Sequence, residues 1–250
     1  MDDTTCLAQI EAQSQALRAA ALRAGPHAPA PTCPGWTIHR LVTHTAVMHA
    51  WVGVAIRTPA GAKTPPYPEP PQAWQDALDW WELRRAETIG RLRQLDPDTS
   101  CWAFRGAPQR VGLWLRRQAH ETAIHRLDAE FALARSTRPD AVPTPMFPSE
   151  FAADGIDELF EVPLPVAIRH RAPIEVSGQV LFHAADARRT WQVTITKGKP
   201  LEIGPADDSG SKADTTVAGT ADAIYRLVWG RPSTAVVTGD TALLAPLSAP

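Results

Sequence analysis

The segment Trp114-Leu115-Arg116-Arg117-Gln118-Ala119-His120-Glu121-Thr122-Ala123-Ile124-His125-Arg126-Leu127-Asp128 contains neither glycine nor proline and reads as one helix. Residues four apart share a helical face, so Glu121 and His125 project side by side. A carboxylate and an imidazole one turn apart can form two corners of a transition-metal site, and zinc accepts both ligand types. Taken alone, such a pair is an ordinary surface salt bridge, so the assignment depends on a third donor. The segment Leu41-Val42-Thr43-His44-Thr45-Ala46-Val47-Met48-His49 offers two histidines. They lie five apart and point in different directions around a helix. Residues 41, 44, 48 and 51 form a stripe of Leu, His, Met and Trp. That stripe predicts that His44 faces the interior among apolar neighbours, which makes it the preferred third ligand. A core histidine bonded to a backbone carbonyl is the competing reading of His44. His49, off the stripe, is the second choice as ligand.

His120 points about 100° away from Glu121 around the helix and is not assigned to the site. Asp128, on the His125 face, is either a partner that orients a ligand imidazole or an exposed helix charge, and the exposed charge is the simpler reading. Three protein ligands leave one position open on a tetrahedral zinc, as a catalytic site requires. The cysteines Cys6, Cys33 and Cys101 are poor nucleophile candidates, because none lies beside a histidine in sequence. Cys33 falls in a turn that is expected to pack.

Four helices are predicted to position these donors. Residues 3–24 carry Leu7, Ile10, Leu17, Ala20, Ala21 and Leu22 at helical spacing and stop at Gly25-Pro26. Thr37 is a candidate N-cap for a second helix that runs to about Ile56. A third helix over roughly 72–95 and a fourth over about 109–135 complete the parts of a four-helix bundle. Such bundles build metal sites from facing helices. After Pro139 the texture changes. A short helix over 151–160 precedes strand-like runs at 178–184, 190–196, 201–203, 215–219 and 235–238, with helices at 220–229 and near 240–247. The fold class is therefore all-α followed by α+β, with a helical domain over 1–138 and a small α+β domain over 150–250.

Composition narrows the function further. With 250 residues and 44% hydrophobic content, each half can bury its own core. A net charge of −2 provides no basic stripe, which argues against nucleic-acid binding. No apolar run reaches the roughly 18 residues of a membrane span, and the acidic start lacks the pattern of a signal peptide. Three scattered cysteines make neither a disulfide framework nor a metal knuckle. The expectation is a reduced, cytoplasmic monomer. Seven of the nine tryptophans precede residue 115, so the two halves are expected to be built differently.

The run Cys33-Pro34-Gly35-Trp36-Thr37, the following Leu41-Val42-Thr43-His44, and Arg116 through Glu130 resemble the mycothiol-dependent maleylpyruvate isomerase family. The resemblance covers nearly the whole chain. It implies that the first part is a DinB-like metal-binding bundle. The second part, from Asp154-Gly155-Ile156-Asp157-Glu158 to Trp229-Gly230-Arg231 and Thr238-Gly239-Asp240, is implied to be a sterol-carrier-like domain. Carried over to this chain, the family's zinc triad falls on His44, Glu121 and His125, and its functional C-terminal arginine falls on Arg231. Beside that, Arg231 stands at a helix end, where it can clamp an anion or complement the helix dipole. The implied cofactors are zinc and mycothiol, with the thiol bound in the cleft between domains and a small electrophile as substrate. A zinc-stabilised thiolate attacking that electrophile gives cis–trans isomerisation if the thiol is expelled and S-transfer if the adduct persists. The rival from another class is a non-catalytic metal- or small-ligand-binding module, because sterol-carrier folds carry lipids elsewhere.

Overall fold

The computed structural model describes residues 1–206 and 213–249. They form two compact units, Met1–Thr137 and Arg138–Pro250. The first contains four helices: α1 (Asp3–Ala24), α2 (Ile38–Ala55), α3 (Trp74–Gln94) and α4 (Val111–Ala134). The Asp2 carboxylate accepts the Thr5 backbone N–H at 2.7 Å and starts α1. Thr37 caps α2 as expected, accepting the Arg40 N–H at 3.3 Å. α1 packs chiefly on α4, and α2 on α3. The core draws on all four: Leu17 and Ala21, Leu41 and Val42, Leu78 and Trp81, and Ala129 and Ala132.

The buried face of α2 only partly follows the stripe that the apolar residues suggest. Leu41 and Trp51 of the stripe are buried, with Val42, Thr45, Ala46, His49, Ala50 and Val52, whereas His44 and Met48 are only partly so. α2 is covered on more than one side, so its buried arc is wide and takes in small and polar residues. Thr45 fits there because its hydroxyl donates to the Leu41 carbonyl at 3.0 Å.

The concentration of tryptophan before residue 115 also has a structural basis. Trp51, Trp102, Trp114 and Phe104 pack together with centroids 5.2–6.0 Å apart. The Trp51 indole N–H reaches the Pro65 carbonyl at 2.8 Å, and that of Trp114 reaches the Trp102 carbonyl at 2.7 Å. The aromatic cluster thereby fixes the proline-rich connection and the loop before α4.

The second unit carries α5 (Ser149–Glu161), α6 (Pro163–Ile168), α7 (Ala221–Val228) and five strands. These are β1 (Gly178–Ala184), β2 (Arg189–Ile195), β3 (Glu202–Gly204), β4 (Thr215–Gly219) and β5 (Val236–Gly239). The sheet order is β3-β2-β1-β4-β5, with β1 and β4 parallel and every other pair antiparallel. Alternate residues Val180, Phe182 and Ala184 of β1 are buried, as are Trp191, Val193 and Ile195 of β2. Phe160 of α5 meets Phe182 at 5.5 Å. α6 was not anticipated; it opens on Pro163, whose fixed φ suits a first helical turn. The expected last helix is a 3-10 segment, Thr241–Leu247, with Pro246 inside it. Among the described residues, no helix is long and apolar enough to cross a membrane.

Candidate metal centre

The turn before α2 sets the first wall of the site. Cys33-Pro34-Gly35-Trp36 closes with the Trp36 N–H on the Cys33 carbonyl at 3.0 Å. Gly35 has a φ of +79°, which a turn with proline second and glycine third requires. The turn delivers Trp36 immediately before the helix cap. Its ring lies 5.0 Å from that of His44 and stacks on that of His125 at 6.2 Å, while the Arg40 guanidinium covers it at 4.9 Å.

The structure brings His44, Glu121 and His125 together. His44 Nε2 and His125 Nε2 lie 3.1 and 3.2 Å from the same Glu121 oxygen, and one ligand atom from each of the three falls within 4.8 Å of the others. Donors held at zinc–nitrogen and zinc–oxygen distances around a tetrahedral ion stand about 3.3 Å apart, so the spacing fits a zinc ion. His44 keeps a side-chain exposure of 33%, against 12% for Glu121 and 10% for His125. His44 therefore stands at the rim of the bundle, not in its interior as the stripe suggested. His44 is thus the member of the triad that stays most exposed.

Side chains around the triad hold it in place. Arg117, one turn before Glu121, donates to its second oxygen. Burial pushes the Glu121 carboxyl up, but Arg117 and His125 prevail and hold it well below the usual carboxylate range. Burial likewise pushes His125 down. The Glu121 charge and the bonds to Asp128, Cys33 and Glu121 outweigh it, and hold the imidazole well above its ordinary value.

Asp128 corrects the reading of an exposed helix charge: its relative exposure is 0%. One oxygen accepts the Thr32 hydroxyl at 2.6 Å and the other pairs with His125 Nδ1 at 2.9 Å. An imidazole that donates from Nδ1 presents its Nε2 lone pair to the site. Cys33, beside no histidine in sequence, comes close to His125 and Asp128 in space. This second cluster uses the other nitrogen of His125 and surrounds a carboxylate with no solvent exposure, which suits a positioning role.

His49 is committed elsewhere. Its Nδ1 accepts the Trp81 indole N–H at 3.0 Å, and its Nε2 bonds the Thr122 hydroxyl at 3.1 Å. Burial, reinforced by the nearby Arg85 charge, pushes its pKa down to about 3, so the ring is neutral. His49, not His44, is the core histidine, with two side-chain partners in place of a backbone carbonyl. Arg231 belongs to the second unit, in the turn that ends α7. Gly230, with φ +68°, donates to the Leu227 carbonyl at 2.9 Å, and the Arg231 N–H returns to Arg226 at 2.8 Å. The Arg231 guanidinium donates to the Trp229 carbonyl at 2.6 Å, so one of its donors serves the helix end.

Sequence reasoning overlooked Arg117, Trp36 and Thr32 as parts of the site. Arg117 was legible as an i, i+4 partner of Glu121. Trp36 carried no signal beyond the glycine turn, and Thr32 none, since it meets Asp128 from 96 residues away.

A His–Glu–His group that could hold a metal ion on a helical bundle, followed by a mixed α+β unit, defines the class of this two-unit protein. Residues 7–130 match the model of the mycothiol maleylpyruvate isomerase N-terminal domain, and residues 150–246 match that of the family's C-terminal domain. The chain belongs to the mycothiol-dependent maleylpyruvate isomerase family. Two solved structures share its fold. A crystal structure of a histidine-to-alanine mutant of the mycothiol-dependent maleylpyruvate isomerase is 12% identical, with a TM-score of 0.62. A crystal structure of the mycothiol-dependent maleylpyruvate isomerase is 15% identical, with a TM-score of 0.61. Each comparison covers 96% of this chain and 95% of the other. No curated protein matches the chain by sequence.

Proposed function

We propose that the chain is a zinc- and mycothiol-dependent enzyme acting on a small electrophile with an activated double bond. The observation that carries this reading is the convergence of His44 Nε2, Glu121 Oε1 and His125 Nε2 from two helices on one point. Zinc bound there supplies the positive charge that keeps a thiol ionised near neutral pH. His44, Glu121 and His125 hold the ion. Asp128 keeps the proton of His125 on Nδ1, and Arg117 fixes the free oxygen of Glu121. Trp36 shields one side of the two imidazoles from water. Arg231 is the residue assigned to an anionic group of thiol or substrate, by family membership and by its fork of donors.

Reversible addition of the thiol, bond rotation and thiol expulsion isomerise the double bond, with nothing gained or lost. Without expulsion the product is an S-conjugate. Incubating zinc-loaded protein with mycothiol and maleylpyruvate, or with a panel of electrophiles, separates these outcomes by mass. An isomer of unchanged mass marks an isomerase, and a gain of one thiol marks an S-transferase. Absence of both thiol binding and turnover contradicts the enzyme reading.

A second reading, a ligand-carrying module, draws support from a cavity of about 680 Å³ in the second unit, lined in part by Phe160, Pro165, Ile168, Trp191, Leu201 and Ile203. Binding of apolar ligands without thiol-dependent turnover would favour it.

A further inference from the structure

The helices of the first unit meet closely along α1–α4 and α2–α3, and more loosely along α2–α4 and α1–α3. The triad uses the first loose seam. The second holds a cavity of about 410 Å³, to which α1 gives Ser14, Arg18 and Leu22, and α3 gives Trp81, Glu82 and Arg85. Ser14 is 1% exposed, and its hydroxyl has no hydrogen-bond partner among the described residues. Arg18 Nε is likewise buried without a partner among them. Such buried donors are rare in folded proteins and call for an acceptor. Arg85 pairs with the half-exposed Glu82. Two guanidinium groups thus face one carboxylate, and the walls carry a single net positive charge.

Arg18 Nε can only donate and the Ser14 hydroxyl can donate beside it, so one acceptor answers both, and the net positive charge of the walls favours an anionic one. The rest of the lining is mixed: Gln15 and Glu82 are polar, whereas Ala19, Leu22 and Trp81 are apolar, and Leu22 is 45% exposed. A bare inorganic oxyanion leaves the apolar part uncovered. We propose that the α1–α3 seam is a second ligand site, for a small organic monocarboxylate with a short apolar body. Its carboxylate meets Arg18 and the Ser14 hydroxyl, with Arg85 alongside, and its apolar part covers Leu22 and the edge of Trp81. The site is separate from the triad, and its occupancy does not depend on zinc or thiol.

Trp81 provides the readout, because its indole N–H is fixed on His49. Nitrogen-15-labelled full-length protein is titrated with benzoate, and the Trp81 indole signal is identified with Trp81→Phe. A saturable shift of that signal is expected. Arg18→Gln should weaken it about tenfold or more, since a charge-assisted bond is lost. Ser14→Ala, a mild change of volume, should weaken it by a smaller factor. Arg93→Gln removes the Glu11–Arg93 pair outside the cavity and should leave it unchanged. Benzyl alcohol, with the same ring and no charge, should fail to saturate, and inorganic phosphate should bind more weakly than benzoate. No saturable benzoate shift, equal binding by folded Arg18→Gln, or phosphate binding as tight as benzoate would each overturn the assignment.

Discussion

At His125 the two ring nitrogens have different tasks: Nε2 faces Glu121 and His44, while Nδ1 is held by Asp128. Removing the carboxylate that holds Nδ1 should therefore cost metal affinity without removing a ligand. Asp128→Ala is expected to weaken zinc binding by about 10–100-fold, measured by competition with a chelating dye. Unchanged affinity would remove Asp128 from the site. His49 carries a different prediction. Its folded-state pKa is near 3, below the ordinary 6.5 of an unfolded chain, so the unfolded state binds the extra proton between those values. Stability linked to His49 is complete above about pH 6.5 and declines as pH falls, by about 1.4 kcal/mol per unit, until near pH 3. Urea unfolding of the wild type and of His49→Gln across that range should show a shallower slope in the variant, and equal slopes would contradict it. The sequence marked the triad, because helical spacing and residue chemistry suffice to find an i, i+4 pair. It misjudged burial at His44, His49 and Asp128, since burial on α2 and α4 depends on which neighbouring helices cover each face.

Among the elements, the turn before α2 and the end of α7 show how local backbone rules place functional residues. Gly35 has open space where a Cβ would stand, so Gly35→Ala tests its φ of +79° alone. The left-handed conformation predicts a loss of about 1–2 kcal/mol in urea denaturation, with weakened zinc binding as Trp36 shifts. A loss near zero would mean that the turn adapts. In the second unit, Arg226 and Asp222 form a fully buried ion pair at 2.9 Å. Arg226 also donates to the Pro143 carbonyl at 2.7 Å, and Asp222 accepts the N–H groups of Met146 and Phe147. The pair ties the 143–147 segment to α7. Arg226→Met strands a buried carboxylate and is expected to cost about 3–5 kcal/mol in thermal or urea unfolding; a cost below 1 kcal/mol would contradict that role. Nothing in the spacing of residues 222 and 226 reveals this, because an i, i+4 ion pair is usually solvated. The four long helices and five strands were legible from periodicity and proline spacing. α6 was not, since six residues with two prolines show no helical period.

For the whole molecule, the change from helical to strand texture after Pro139 was sufficient to predict an all-α part followed by an α+β part. The side chains that support the donor set could not be read in the same way, because Thr32 and Trp36 reach Asp128, His44 and His125 from far along the chain or across helices. The account rests on His44 of α2 meeting Glu121 and His125 of α4 to hold one ion. The most direct measurement is elemental analysis of the full-length protein purified without added metal, beside His44→Ala, Glu121→Ala, His125→Ala and His49→Gln. The account predicts about one zinc per chain in the wild type and in His49→Gln, as expected of a single three-ligand site, and loss of zinc in each of the other three while they remain folded. Zinc retained in folded His125→Ala, or lost in His49→Gln but kept in His44→Ala, would contradict it.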